Sequence, residues 1–145
     1  MDTLGTTTPK VIRKEESWSI NDSYPAGAAM PKGTIVKLNT TNGKVEPIAA
    51  VADLPFGIVS SGAKKVDDLV TVQTQFNAIV RAKAGAADLT TGDYLSAKAL
   101  DSTEGVMEYE ASTAGQVSAA IALEDAVAGE TVWVGVLRTF VKHVV

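Results

Sequence analysis

From Gln116 to Phe140 the chain reads QVSAAIALEDAVAGETVWVGVLRTF, two alternating stretches separated by an acidic, glycine-containing connection. Val117, Ala119 and Ile121 alternate with small or polar neighbours. Val132, Val134 and Val136 alternate with Trp133, Gly135 and Leu137. Successive side chains of an extended strand point to opposite faces, so a period of two rich in β-branched residues marks paired strands rather than a helix. The second stretch is apolar at both parities, which predicts a strand covered on both faces with Trp133 in the core.

The same arrangement occurs earlier. Phe56–Ser61 and Leu69–Phe76 flank the connection Gly62–Asp68. The lead-ins also correspond: PKGTIVKL, starting at Pro31, matches TTGDYLSA around Gly92, and Asn42–Ile48 matches Glu104–Glu110. Gly33 and Gly92, Gly43 and Gly105, and Phe76 and Phe140 each recur about sixty residues apart, longer than most solenoid repeats. This reads as a degenerate duplication, with halves at about 30–80 and 89–141, that could build one closed or sandwiched core. Two unrelated β-meanders are the competing explanation. Asn42-Gly43 is a hairpin turn, because both residues tolerate positive φ. Ala49–Leu54 suggests a short helical turn stopped by Pro55. No segment sustains a helical apolar stripe over three turns, so the expected fold is all-β: a compact β-barrel or β-sandwich of short antiparallel strands.

Residues 25–145 are expected to form that single domain, preceded by an extended N-terminal arm at residues 1–24. The arm is charged and sparse in apolar residues, so it cannot bury itself. Such a segment gains order on a partner, the alternative being a loose leader plus one edge strand. Lys10, Arg13, Lys14, Trp18, Ile20 and Tyr24 are its candidate contact residues, with Trp18 as the anchor. The tail keeps strand character to its end, so Phe140 and Val144 join the candidates. Either the tail completes the chain's own barrel or it pairs with another chain.

The chemistry is sparse. The 145 residues contain no Cys, which excludes disulfides, Cys–zinc sites and a thiol nucleophile. The lone imidazole, His143, has no second His at metal-ligand spacing. No phosphate-binding loop, dinucleotide fingerprint or nucleophile elbow is present. A net charge of −4 argues against nucleic acid and anionic membranes as partners. The first ten residues, MDTLGTTTPK, lack the apolar stretch of a signal peptide, and no run is long enough to span a bilayer. Synthesis in the cytoplasm is the expectation. Asp101, Glu104, Glu108, Glu110, Glu124, Asp125 and Glu130 could bind calcium or serve as a glycosidase pair. Solvated turn carboxylates are the simpler reading. No enzyme activity and no cofactor or metal is expected.

The segments PKGTIVKL and PFGIV, and above all Ala122–Val134 (ALEDAVAGETVWV), resemble the head decoration, or capsid cement, proteins of tailed bacteriophages. The resemblance runs from about Ala26 to Phe140 and rests on turn-and-strand patterns. It implies a virion protein seated on the outer capsid surface, bound to the major capsid protein and stabilising the shell, as a homo-oligomer with a trimer favoured over a dimer. The arm is longer than a minimal decoration protein needs, and the tail is more apolar. Another virion β-protein, such as a tail-tube or baseplate component, and a carbohydrate-binding β domain are the alternatives.

Overall fold

The computed structural model describes residues 21–74 and 78–142, and every regular element among them is a β-strand. The strands are β1 (Asn21–Pro25), β2 (Ile35–Leu38), β3 (Val45–Pro47), β4 (Gly57–Val59), β5 (Leu69–Gln73), β6 (Ala78–Ala84), β7 (Tyr94–Asp101), β8 (Val106–Ala111), β9 (Val117–Ala122) and β10 (Thr131–Lys142). The first five make an open sheet in the order β1-β5-β4-β2-β3. The last five close into a barrel in the order β10-β6-β8-β7-β9. The all-β expectation holds, with one open sheet and one barrel in place of a single enclosure.

The two groups of strands are the same structure twice. Read from β6, the barrel order β6-β10-β9-β7-β8 repeats β1-β5-β4-β2-β3 strand for strand. Registers match as well. Tyr24 faces Val70 as Ala82 faces Val132, Val59 faces Val72 as Ala122 faces Val134, and Ile35 faces Ile58 as Tyr94 faces Ile121. Outside the strands, Met30 and Ala63 form a reciprocal bridge that Leu89 and Ala126 repeat. The Gly33 and Gly92 amides donate to the Val59 and Ala122 carbonyls, both at 2.8 Å. Gly33, Gly43, Gly92 and Gly105 all take positive φ, which glycine adopts without steric cost. The recurring glycines of the sequence therefore mark equivalent turns. Asp67, the sole non-glycine residue at positive φ among the described residues (φ 74°), stands where the second half has Gly129 at 84°.

The halves differ in how they close. In the second, β6 pairs parallel to β8 through Lys83–Glu108 and Ala84–Tyr109. In the first, the equivalent contact is a single parallel bridge between Ala26 and Val45. The β7–β8 hairpin is longer than β2–β3 and carries a register shift between Ala97 and Ala99. Each half has its own core. Ala26, Met30, Val36, Val45, Val59, Ala63, Val70 and Val72 cluster in the first. Their equivalents Ala84, Leu89, Leu95, Tyr109, Ala122, Ala126, Val132 and Val134 cluster in the second. The barrel interior is rich in alanine, and the fully buried Tyr109 ring is its largest side chain. Small walls and one large filler suit a narrow closed barrel. Ile35, Ile48 and Ile58, from the first half, belong to the same buried cluster as the barrel residues, so the two halves share packing.

Several expectations are corrected. The 24/25 boundary falls inside a strand: residues 21–25 are β1, paired with β5. Strand β6 opens the second half instead of closing the first, so the repeats run from Asn21 to Gln73 and from Ala78 to Lys142. Ala49–Leu54 is a non-helical turn in which the Asp53 carboxylate accepts the Ala49 and Ala50 amides. Strand β10 is covered on one face only, and Trp133 lies on the open face with 46% of its surface exposed. As far as Lys142 the tail completes the chain's own barrel, with Val141 and Lys142 opposite Ser118 and Val117 beyond a bulge.

Candidate interaction surface

Strand pairing fixes which side chains share the outer face of the barrel, since directly paired residues point the same way. One row runs Arg81, Trp133, Leu123 across β6, β10 and the end of β9. The next runs Ile79, Gly135, Ile121, Tyr94 across β6, β10, β9 and β7. Ile79 is 67% exposed, Trp133 and Tyr94 46% each, and Leu123 44%. Gly135 sits at the centre. The Leu123 side chain lies 3.6 Å from where a Cβ on Gly135 would be, so it leans across the bare backbone. The result is a contiguous apolar face carrying two aromatic residues, the composition that dominates binding energy at protein interfaces.

Comparison of the halves shows that this face is not a by-product of the fold. Trp133, Leu123 and Gly135 occupy the positions of Thr71, Ser60 and Gln73. Apolar residues stand in the second half where the first has polar ones. Of the outward apolar residues of the first half, Ile35 and Ile58 are buried within the chain, while Leu69 at the start of β5 is exposed. Tyr94 and Ile121, the equivalents of Ile35 and Ile58, are left accessible. No sequence reading selected Ile79, Tyr94, Leu123 or Trp133 as contact residues. A position-by-position comparison of the two repeats is the signal that finds them.

Of the residues selected from sequence, Lys10, Arg13, Lys14, Trp18, Ile20 and Val144 lie outside the described residues, as does His143. Tyr24 and Phe140 are half-buried. Tyr24 packs on the first core and meets Phe56 edge to face, with ring centroids 5.3 Å apart. Phe140 packs against the barrel cluster. The structure does not bring these two together on one surface.

The acidic residues serve backbone and lysine partners. Asp101 accepts Lys83 Nζ at 2.7 Å and the Thr103 and Glu104 amides, and these bonds hold its carboxyl below the ordinary range, Lys83 first. The same contact raises Lys83. Asp125 takes the Thr91 amide and hydroxyl at 2.8 and 2.9 Å, which likewise lower it. Glu110 pairs with Lys98 at 2.9 Å, and Glu130 accepts the Val127 amide. Among the described residues, no three His, Cys, Asp or Glu side chains converge as a metal site would require. The acidic cleft of about 290 Å³ beside Asp88, Asp125 and Glu130 has those three carboxylates already capping backbone or hydroxyl groups.

At the other end of the barrel, Ser112 lies 2.7 Å from Ser96 and accepts from Ser118 at 2.8 Å, while Ser96 donates to Gln116. These hydroxyls satisfy one another, and none of these contacts involves the carboxylate or imidazole that would activate a serine. A groove of about 550 Å³ between the halves is lined by Met30, Pro31, Ala63 and Leu100, with Lys64 and Ser102 as its polar side chains.

No known protein-family profile matches the sequence, and no curated protein resembles it in sequence. The structure is similar to the crystal structure of the head fiber gp8.5 N base of bacteriophage phi29, with a TM-score of 0.53 and 17% identity. The match covers 86% of this chain and 99% of that one. It is a likeness of fold, and it includes nearly the whole of the phage domain.

Proposed function

We propose that this chain is a structural protein of a bacteriophage virion that binds the outer surface of the capsid, through the major capsid protein, and stabilises it. The observation that carries this reading is the fold shared with a phage head fiber base over 99% of that domain. The decoration-type turn motifs of the sequence support it independently. The role requires no reaction, in keeping with carboxylates committed to turns and serines committed to one another. Many copies repeated by the symmetry of a shell bind with avidity. Affinity for the assembled shell alone then stabilises that shell by mass action.

The test is to mix the purified chain with matched capsids lacking it, then measure co-sedimentation and the temperature at which the shell releases its contents. Saturable binding with a raised release temperature is expected. Absence of binding, or binding that leaves that temperature unchanged, refutes the stabilising role. The shared fold also supports a second reading, in which the chain is the base of a longer projection from the head. Saturable binding without thermal protection distinguishes it.

A further inference from the structure

We infer that the outer face of β6, β10 and β9 is a self-association surface, on which the same face of a second copy packs about a two-fold axis. The apolar centre is Trp133, Leu123, Ile79 and Tyr94 around Gly135. Its occupant follows from the charges at its margins. Arg81 ends the Trp133 row at β6, and exposed Glu124 comes directly after Leu123, which ends the row on the β9 side. Neither holds an ion pair among the described residues, although Lys37, Lys44, Lys83 and Lys98 all do. A two-fold axis lying in the interface and parallel to the strands sets the Arg81 end of each copy's row against the Leu123–Glu124 end of the other's. One patch thereby meets itself with opposite charges facing, which is the defining property of an isologous interface. The glycine at the centre leaves room for the Leu123 side chain to lie flat across β10, which keeps the apolar centre low between Trp133 and Ile79.

The equivalent face of the first half supports the same conclusion. There Ile35 and Ile58 are buried inside the chain, and the positions of Leu123, Trp133 and Gly135 hold the half-buried polar residues Ser60, Thr71 and Gln73, leaving Leu69 at the strand end as the one exposed apolar side chain among these positions. Internal packing covers one copy of this face, and an external partner covers the other. The inference is independent of the capsid-binding proposal, since it concerns the free protein in solution.

Sedimentation velocity of the full chain over about 1 to 100 µM, the range of ordinary homodimer affinities, tests it. The expected result is a monomer–dimer equilibrium that Trp133→Lys shifts fully to monomer with an unchanged far-UV circular dichroism spectrum. Ile79→Lys, on a different strand, gives the same shift and guards against a folding defect in the first variant. Arg81→Glu weakens the dimer at least about tenfold, and adding Glu124→Arg restores it. A monomer at every concentration overturns the inference, as does an oligomer that Trp133→Lys leaves intact. A trimer dissolved by Trp133→Lys overturns the two-fold geometry. If the free chain is monomeric but Trp133→Lys abolishes capsid binding, the face belongs to the shell protein, and the inference is likewise wrong.

Discussion

Tyr109 offers the sharpest test of how the barrel is filled. Its side chain is fully buried, and its hydroxyl finds no hydrogen-bond partner among the described residues. Burial pushes the phenol well above its ordinary pKa, with no charge or hydrogen bond opposing the shift. An orphaned buried hydroxyl costs about 1–3 kcal/mol of desolvation, whereas the ring it rides on fills the alanine-lined interior. Tyr109→Phe keeps the ring and deletes the penalty. After a small loss for the vacated oxygen volume, it should stabilise the chain by about 1–2 kcal/mol, or roughly 3–6 °C in melting temperature. Tyr109→Ala should instead cost about 3–5 kcal/mol, because the surrounding alanines cannot collapse into the space. Urea titrations of the three proteins measure both differences. In the wild type, the raised pKa adds an alkaline signature. Stability is full below the unfolded value near 10 and declines as pH rises from there towards the higher folded value. If Tyr109→Phe destabilises by more than about 1 kcal/mol, the hydroxyl holds a real hydrogen bond and the reasoning fails.

Three further outcomes are expected. Asp53, Asp101 and Asp125 are all held below the ordinary carboxylate range, by the Ala49 amide, Lys83 and the Thr91 amide respectively. Groups lowered on folding stabilise fully above the unfolded value near 3.9 and lose that contribution as pH falls through their folded values. The urea midpoint should therefore drop below about pH 4, less steeply in Asp101→Asn; a flat acid limb contradicts this. Gly57→Ala places a methyl 2.6 Å from the Gln73 carbonyl oxygen and 2.7 Å from Val72 Cγ1. Separating β4 from β5 in this way should cost about 2–3 kcal/mol in chemical denaturation, and a neutral result would show that the sheet yields there. Gly129→Ala meets no atom within 4 Å but sits at φ +84°, so calorimetry should register only the backbone term of about 1–2 kcal/mol. Asp67→Gly, at the equivalent turn, relieves the positive-φ strain and gives up only the exposed Lys44 ion pair, so it should not destabilise relative to Asp67→Asn; a loss against Asp67→Asn comparable to that of Gly129→Ala would break the equivalence.

Local pairings were legible because they are written locally. The β2–β3, β4–β5, β7–β8 and β9–β10 hairpins join sequence neighbours, and turn glycines with alternating apolar residues mark them. What escaped was non-local or compositionally faint. Strand β1, NDSYP, has almost no apolar content and ends in proline; it works as an edge strand because proline needs no ladder hydrogen bond there. The parallel β6–β8 pairing that closes the barrel joins segments far apart in sequence, and no turn signals it. Contact residues were sought in the charged arm, most of which lies outside the described residues. The exposed apolar face went unread because a strand apolar on both sides has two physical solutions, burial on both faces or burial on one with an interface on the other. Alternation within a single strand cannot separate them, but the polar residues of the sister repeat can.

That comparison yields a substitution pair with a definite expectation. Trp133→Thr with Leu123→Ser gives the barrel the residues that the first half already tolerates at Thr71 and Ser60, in the same register and with the same backbone hydrogen bond. If the face contributes nothing to the fold of one chain, the double variant should match the wild type within about 0.5 kcal/mol under conditions where both are monomeric, as exposed substitutions do. At higher concentration the wild type alone should gain stability with concentration, because association favours the folded state by mass action. A loss of more than about 2 kcal/mol in the dilute monomer would mean that Trp133 and Leu123 brace the barrel itself, and the face would then be explained by folding rather than by a partner.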